Sequence, residues 1–237
     1  MRLALDFDGV FWDSVGECYV TARRAWRELL GVDPPECEKA FRSGRWMVRV
    51  GADFGKLLSL AARDPQADLS GYPRHDWEAL PFPQGPEFER LFYRQREQAR
   101  QGDPAGWAAL QGPYPCFLEE LPALHSHFGQ PAIATTKDAA SVRQLIAPLG
   151  LDLVVLGREL STDKRVQIRH LAADWGVEPS AITFLDDLLD NLRPVQETGA
   201  RVALAAWGYN TPGEREQARR EGIPVVELGG VARALCG

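Results

Sequence analysis

The sequence predicts an α/β protein, a doubly wound, Rossmann-like parallel sheet interrupted by an inserted helical segment. Three observations predict it. From residue 117 onward, short apolar runs alternate with amphipathic stretches of helical length, the pattern of a parallel sheet covered on both faces. A further apolar run, Leu3-Ala4-Leu5, stands by itself at the start of the chain. Between the two, residues 16–115 show helical periodicity and turn-rich loops but no convincing strand.

The elements follow in order. Leu3-Ala4-Leu5 reads as a buried strand, and Gly9 lets the backbone turn sharply after it. A helix is predicted over 14–30, where Val15, Tyr19, Ala22, Trp26 and Leu29 recur at three- and four-residue steps. Gly31 and Pro34-Pro35 end it. Residues 36–62 read as further helix, and 64–86, rich in Pro, Gly and aromatics, as a long loop. Helix returns over 87–100, and 102–115 reads as loop. Beyond it, helices are predicted over 117–127, 139–149, 164–175, 188–197 and near 213–220. Strands are predicted over 131–134, 153–156, 181–185, 201–204 and 225–228. The expected organisation is an α/β core of residues 1–15 and 116–237 with 16–115 inserted as a helical domain.

Composition excludes several classes. The 237 residues are 45% hydrophobic and 25% charged, ordinary for a folded domain. No apolar run approaches the ~20 residues of a membrane span. The chain enters its acidic strand at once, so no signal peptide is expected. Cys18, Cys37, Cys116 and Cys236 are scattered, with no C-x-x-C pair. Their scatter argues against zinc and a disulfide framework, and for a reducing cytoplasm. The net charge of −6 gives no bulk attraction to nucleic acid or an anionic membrane.

Chemistry concentrates at strand ends. Asp6 and Asp8 flank Phe7, and a strand alternates its faces, so both carboxylates point the same way. Two carboxylates that close repel, and burial worsens the repulsion. A bound cation or a shared proton makes such a pair tolerable. A calcium loop would continue with oxygen ligands at alternate positions. Here Val10, Phe11 and Trp12 follow instead. Phe184-Leu185-Asp186-Asp187 places two more acids at the end of an apolar run. Clustered carboxylates without Cys or a suitable His favour a hard divalent ion, magnesium above others. Thr135 and Thr136 follow another strand, where a hydroxyl and helix-terminal N–H groups can hold a phosphate oxygen. Thr136 or Asp138 could instead simply cap the next helix. Lys164 opens the helix before the acidic strand. In 42–49, Arg45 and Arg49 would lie one helical turn apart and could bind an anionic part of a substrate.

Together these residues resemble the haloacid dehalogenase superfamily of phosphohydrolases. Its motifs match in order at Asp6-Phe7-Asp8-Gly9-Val10, Thr135, Lys164, and Asp186-Asp187 with Asn191. Asp13-Ser14 and Gly199 also fall where the branch that includes phosphoglycolate phosphatase places such residues. The resemblance covers about residues 1–20 and 115–210 and makes 16–115 the family's helical cap. It implies hydrolysis of a small phosphorylated metabolite through an aspartyl-phosphate. Asp6 would be the nucleophile and Asp8 the general acid and base. Mg2+ would be held by Asp6, the Asp8 carbonyl and Asp187, with Asp186 acting through water. Thr135 and Lys164 would hold the phosphoryl group. The family often has Gly-Asp where this chain has Asp186-Asp187. Lys137, two residues past Thr135, competes with Lys164 for the phosphate. A phosphomutase or a non-catalytic phospho-ligand binder would share most of these residues. A dehalogenase or phosphonatase would lack Asp8.

Overall fold

The computed structural model describes residues 1–237 and divides the chain into two compact units, Met1–Asp13 with Pro113–Gly237, and Ser14–Gly112. The divisions fall two or three residues before the expected 15 and 115.

The first unit is built on a six-stranded parallel sheet. Its strands lie in the order Val154–Leu156, Ala132–Ala134, Arg2–Leu5, Ile182–Asp186, Arg201–Ala205, Val225–Val226. The chain starts in the middle, builds outward to one edge, then crosses back and builds to the other. Registers at the centre pair Leu5 with Ile133 on one side and with Leu185 on the other. The central strands are buried along nearly their whole length, Arg2 alone being partly exposed, because helices cover both faces. Ala4, Phe184 and Leu204 share a core with Ile168, Leu171 and Leu192 from the covering helices. The helix Lys164–Trp175 has the predicted bounds, and Gly176 ends it in the left-handed conformation at φ 61°.

The second unit is helical. Val15–Leu30, Gly51–Ala61 and Gly85–Gly102 pack on one another. Phe41, Phe54, Phe88 and Phe92 form a run of stacked rings in its interior. The stretch 36–62 is not one helix. It breaks into Glu38–Ser43, a 3-10 turn Arg45–Met47 and Gly51–Ala61, with extended backbone at Val48. The loops expected over 64–86 and 102–115 each contain a six-residue helix, Arg74–Ala79 and Pro104–Ala109. Helices that short are not stable alone. Each buries a tryptophan, Trp77 or Trp107, and the second is capped by Asp103, which accepts from Gly106 N at 2.9 Å. Tertiary burial thus overrides the local Pro and Gly signals. No helix is long and apolar enough to cross a membrane.

Candidate active site

The sheet's order reverses at its central strand, so connections leave the carboxyl ends of neighbouring strands in opposite directions and open a crevice there. Asp6 directly follows Arg2–Leu5. Its N–H donates to Leu185 O at 2.9 Å, which ties it to the strand that ends in Asp186. Asp6, Asp186 and Asp187 are all buried, and one carboxylate oxygen from each lies within 4.8 Å of the others.

Lys164 reaches this cluster from the first turn of its helix. Asp163 caps that helix by accepting from Arg165 N at 2.9 Å, which sets Lys164 as its first residue. The Lys164 Nζ lies 2.6 Å from Asp6 Oδ1, 2.5 Å from Ala134 O and 3.8 Å from Asp186 Oδ2. Three residues on, the buried Gln167 donates through Nε2 to Thr135 O and Ser161 O, both at 2.8 Å. It fastens the loop after Ala132–Ala134 to the helix that carries Lys164.

The two adjacent acids are held differently. Asp186 accepts from Leu188 N at 2.8 Å and from Asn191 Nδ2 at 3.2 and 3.0 Å. Burial, and next the Asp6 charge, push its carboxyl up to about 7; the Lys164 ammonium and those N–H donors act in the opposite direction. Asp187 Oδ2 accepts from Tyr209 N at 2.5 Å, and Asn210 Nδ2 bridges Asp187 O and Ala205 O at 3.0 and 2.8 Å. Two glycines let the backbone come this close. Gly9 has φ 90°, and a Cβ there would overlap the Asp187 carboxylate. A Cβ on Gly208 would overlap both Asp187 Cβ and Gly9 O.

Asp8 stands apart from the three-acid cluster. Its Oδ1 lies 3.2 Å from Lys137 Nζ, and the Lys137 side chain is wholly buried. Thr135 is buried, and its Oγ1 accepts from Lys137 N at 3.1 Å. Thr136 is exposed, and Asp138 caps the next helix by accepting from Ser141 N at 2.8 Å. The fold therefore brings Asp6, Asp8, Thr135, Lys137, Lys164, Asp186 and Asp187 to the carboxyl end of the sheet.

Arg45 and Arg49 lie in the other unit, and the helical spacing expected of them does not form. Arg45 is buried in the 3-10 turn with its guanidinium 5.2 Å from the Phe54 ring centre. Arg49 Nη1 donates to Val48 O at 3.2 Å. The site also draws on the Trp207-Gly208-Tyr209-Asn210 loop, which no sequence motif marks. Its Trp207 Nε1 donates to Val10 O at 3.0 Å and its Tyr209 OH lies 3.0 Å from Asp13 Oδ1. Its one sequence signal is a small residue between aromatics just after an apolar strand.

The donor set suits a hard divalent cation. It consists of carboxylate oxygens with no sulfur and no imidazole. Asp6, Asp8, Asp186 and Asp187 set against Lys137 and Lys164 leave two formal negative charges, the amount one such ion balances.

No protein-family model and no curated protein matches the sequence. Solved structures match it in fold. A haloacid dehalogenase-like family hydrolase from Streptococcus pneumoniae superposes with a TM-score of 0.65 at 18% identity, covering 95% of this chain and 92% of that one. A predicted phosphoglycolate phosphatase from Haemophilus somnus gives 0.65 at 17% identity, covering 99% and 97%. A predicted phosphatase from Clostridium acetobutylicum gives 0.66 at 12% identity, covering 99% and 97%. The chain has the fold of the haloacid dehalogenase-like hydrolases.

Proposed function

We propose that the protein is a magnesium-dependent phosphatase that hydrolyses a small phosphate monoester through a phosphoryl group carried on Asp6. One observation carries this reading: a buried strand-end carboxylate, Asp6, sits in a three-acid cluster with Lys164 Nζ 2.6 Å away. Buried acids in that excess are costly as scaffolding and useful as a site. The names of the structural neighbours, hydrolase and phosphatase, agree with it.

In this reading the Asp6 and Asp187 side chains and the Asp8 carbonyl would hold Mg2+, with Asp186 acting through water. When bound, the ion would offset the repulsion between an anionic nucleophile and an anionic phosphate. Asp6 attacks phosphorus and the ester oxygen leaves with a proton from Asp8. Asp8 then takes a proton from the water that attacks the acyl phosphate. Lys164 and the Thr135 hydroxyl hold the transferring oxygens, joined by Thr136 at the exposed end of the loop. Residues 16–115 act as a cap that excludes water during the first step. Within the cap, Arg49 is assigned to an anionic part of the substrate, and Arg45, buried against Phe54, to the cap's own packing. A cytoplasmic location agrees with four cysteines that are not in disulfides.

The test is turnover of a panel of phosphate monoesters with Mg2+ and with chelator. Metal-dependent release of phosphate from at least one ester is expected. Equal rates with and without chelator, or no turnover of any ester, would overturn the reading.

A further inference from the structure

Two lysines enter the site, each against a different acid. Lys164 donates to Asp6 and to Ala134 O. Lys137 arrives from the loop after Ala132–Ala134 and meets Asp8 at 3.2 Å. We propose that Lys137 is the positioning residue of Asp8: it fixes the carboxyl that serves the leaving group and receives the charge left there when the proton departs. The proposal rests on the phosphatase reading above.

Three features support it. The Lys137 side chain is wholly buried, and burying an ammonium is costly unless a partner charge meets it. Its backbone is anchored at both ends. Lys137 N donates to Thr135 Oγ1 at 3.1 Å, and Lys137 O accepts from Arg158 N at 3.1 Å. The ammonium is thereby delivered to one place. Asp8 also differs from the other acids of the site. Its side chain keeps 19% exposure, whereas those of Asp6 and Asp186 keep 9% and none. It is the acid open to a leaving group.

The chemistry gives the pair a task. In the first step a P–O bond forms to Asp6 and the ester P–O bond breaks. The leaving oxygen keeps that electron pair and takes the Asp8 proton. Negative charge then appears on Asp8, 3.2 Å from the Lys137 ammonium. In the second step Asp8 recovers a proton from water, and the charge disappears. A phosphate clamp would act otherwise. It would touch the transferring oxygens and matter equally for every leaving group.

The experiment is a leaving-group series on the full chain with Mg2+. Lys137→Met keeps the buried stem and removes the charge. Alkyl phosphates need the proton most and p-nitrophenyl phosphate least. Lys137→Met should lower kcat about 10²-fold on alkyl esters and only a few-fold on p-nitrophenyl phosphate, with KM nearly unchanged. In an Asp8→Asn background the same substitution should add almost nothing, because the group it serves is gone. Should Lys137→Met fail to fold, Lys137→Gln is put through the same series. A loss equal across all esters, or one confined to KM, overturns the proposal and makes Lys137 a phosphate clamp while leaving the phosphatase reading intact. A wild-type protein that turns over no ester overturns both.

Discussion

Each unit buries charge, and the two do it in opposite ways. In the inserted unit, Glu17 is fully buried on the helix Val15–Leu30 and is matched by one arginine. Arg96 meets it with Nε at 2.9 Å and Nη2 at 2.7 Å, and Thr21 Oγ1 adds a bond at 2.8 Å. The Arg96 guanidinium also lies 4.7 Å from the Phe92 ring centre. Charge is balanced one to one inside a single fork of hydrogen bonds. In the sheet unit, Lys164 meets Asp6 and Asp186, and Asp187 adds a third carboxylate to their cluster. A matched pair can serve as architecture. An excess of one sign destabilises the fold unless something else arrives to balance it. The contrast separates scaffold from site without reference to any relative.

Substitutions can sharpen or break that contrast. The largest effect should come from Asp6→Asn. An amide is neither nucleophile nor strong ligand, so phosphate release should fall to background in a steady-state assay. Asp8→Asn should follow, lowering kcat by ~10²–10⁴-fold on esters with poor leaving groups. Retention of near-full rate would remove Asp8 from acid–base work. In the inserted unit, Arg96→Met strands a buried carboxylate and should cost about 3–5 kcal/mol in denaturant unfolding. The double change Glu17→Met with Arg96→Met should be far milder, because no charge is left behind. A double variant as unstable as the single one would mean that the pair is more than a balanced charge.

Gly208→Ala acts on the site by a different route. A Cβ there collides with Asp187 and with Gly9 O, so Asp187 must move. Mg2+ should raise the Tm of the wild type, and in Gly208→Ala that rise should shrink or vanish, before any effect on the inserted unit.

The smallest effect is a pH dependence. Burial and Asp6 hold the Asp186 carboxyl at about 7 against an ordinary 3.8. The folded chain therefore binds this proton more tightly than the unfolded one. With metal chelated, its contribution to stability is intact below pH about 4, falls as pH rises from about 4 to about 7, and stays low above that. Thermal melts in chelator should show this slope, and Asp186→Asn should flatten it. An unchanged slope in the variant would place the pH dependence elsewhere.

The parts legible in the sequence are those fixed by local periodicity. Apolar runs marked the strands, and acids at their ends marked the crevice, because a buried parallel strand has no other place to put a charge. The bounds of Lys164–Trp175 were readable because Asp163 and Gly176 punctuate both ends. Tertiary partners were not readable. Nothing local says that Lys137 turns to Asp8 and Lys164 to Asp6, since each pair is more than a hundred residues apart in the chain. The Tyr209 N–H that holds Asp187 was hidden for the same reason. Arg45 and Arg49 do not lie one helical turn apart, because Gly44 and Val48 interrupt the helix their spacing suggested. Trp77 and Trp107 form short helices through burial that a Pro- and Gly-rich context concealed.

The assignment of the phosphoryl group to Asp6 has a direct chemical test. Acid quenching during steady turnover of an active ester, followed by borohydride reduction and peptide mass spectrometry, reads it directly, since an aspartyl-phosphate is reduced to homoserine. Homoserine is expected at position 6 in the wild type with Mg2+, and none with chelator. Turnover that proceeds with Asp6 unmodified, or with the modification on another acid, would contradict the assignment.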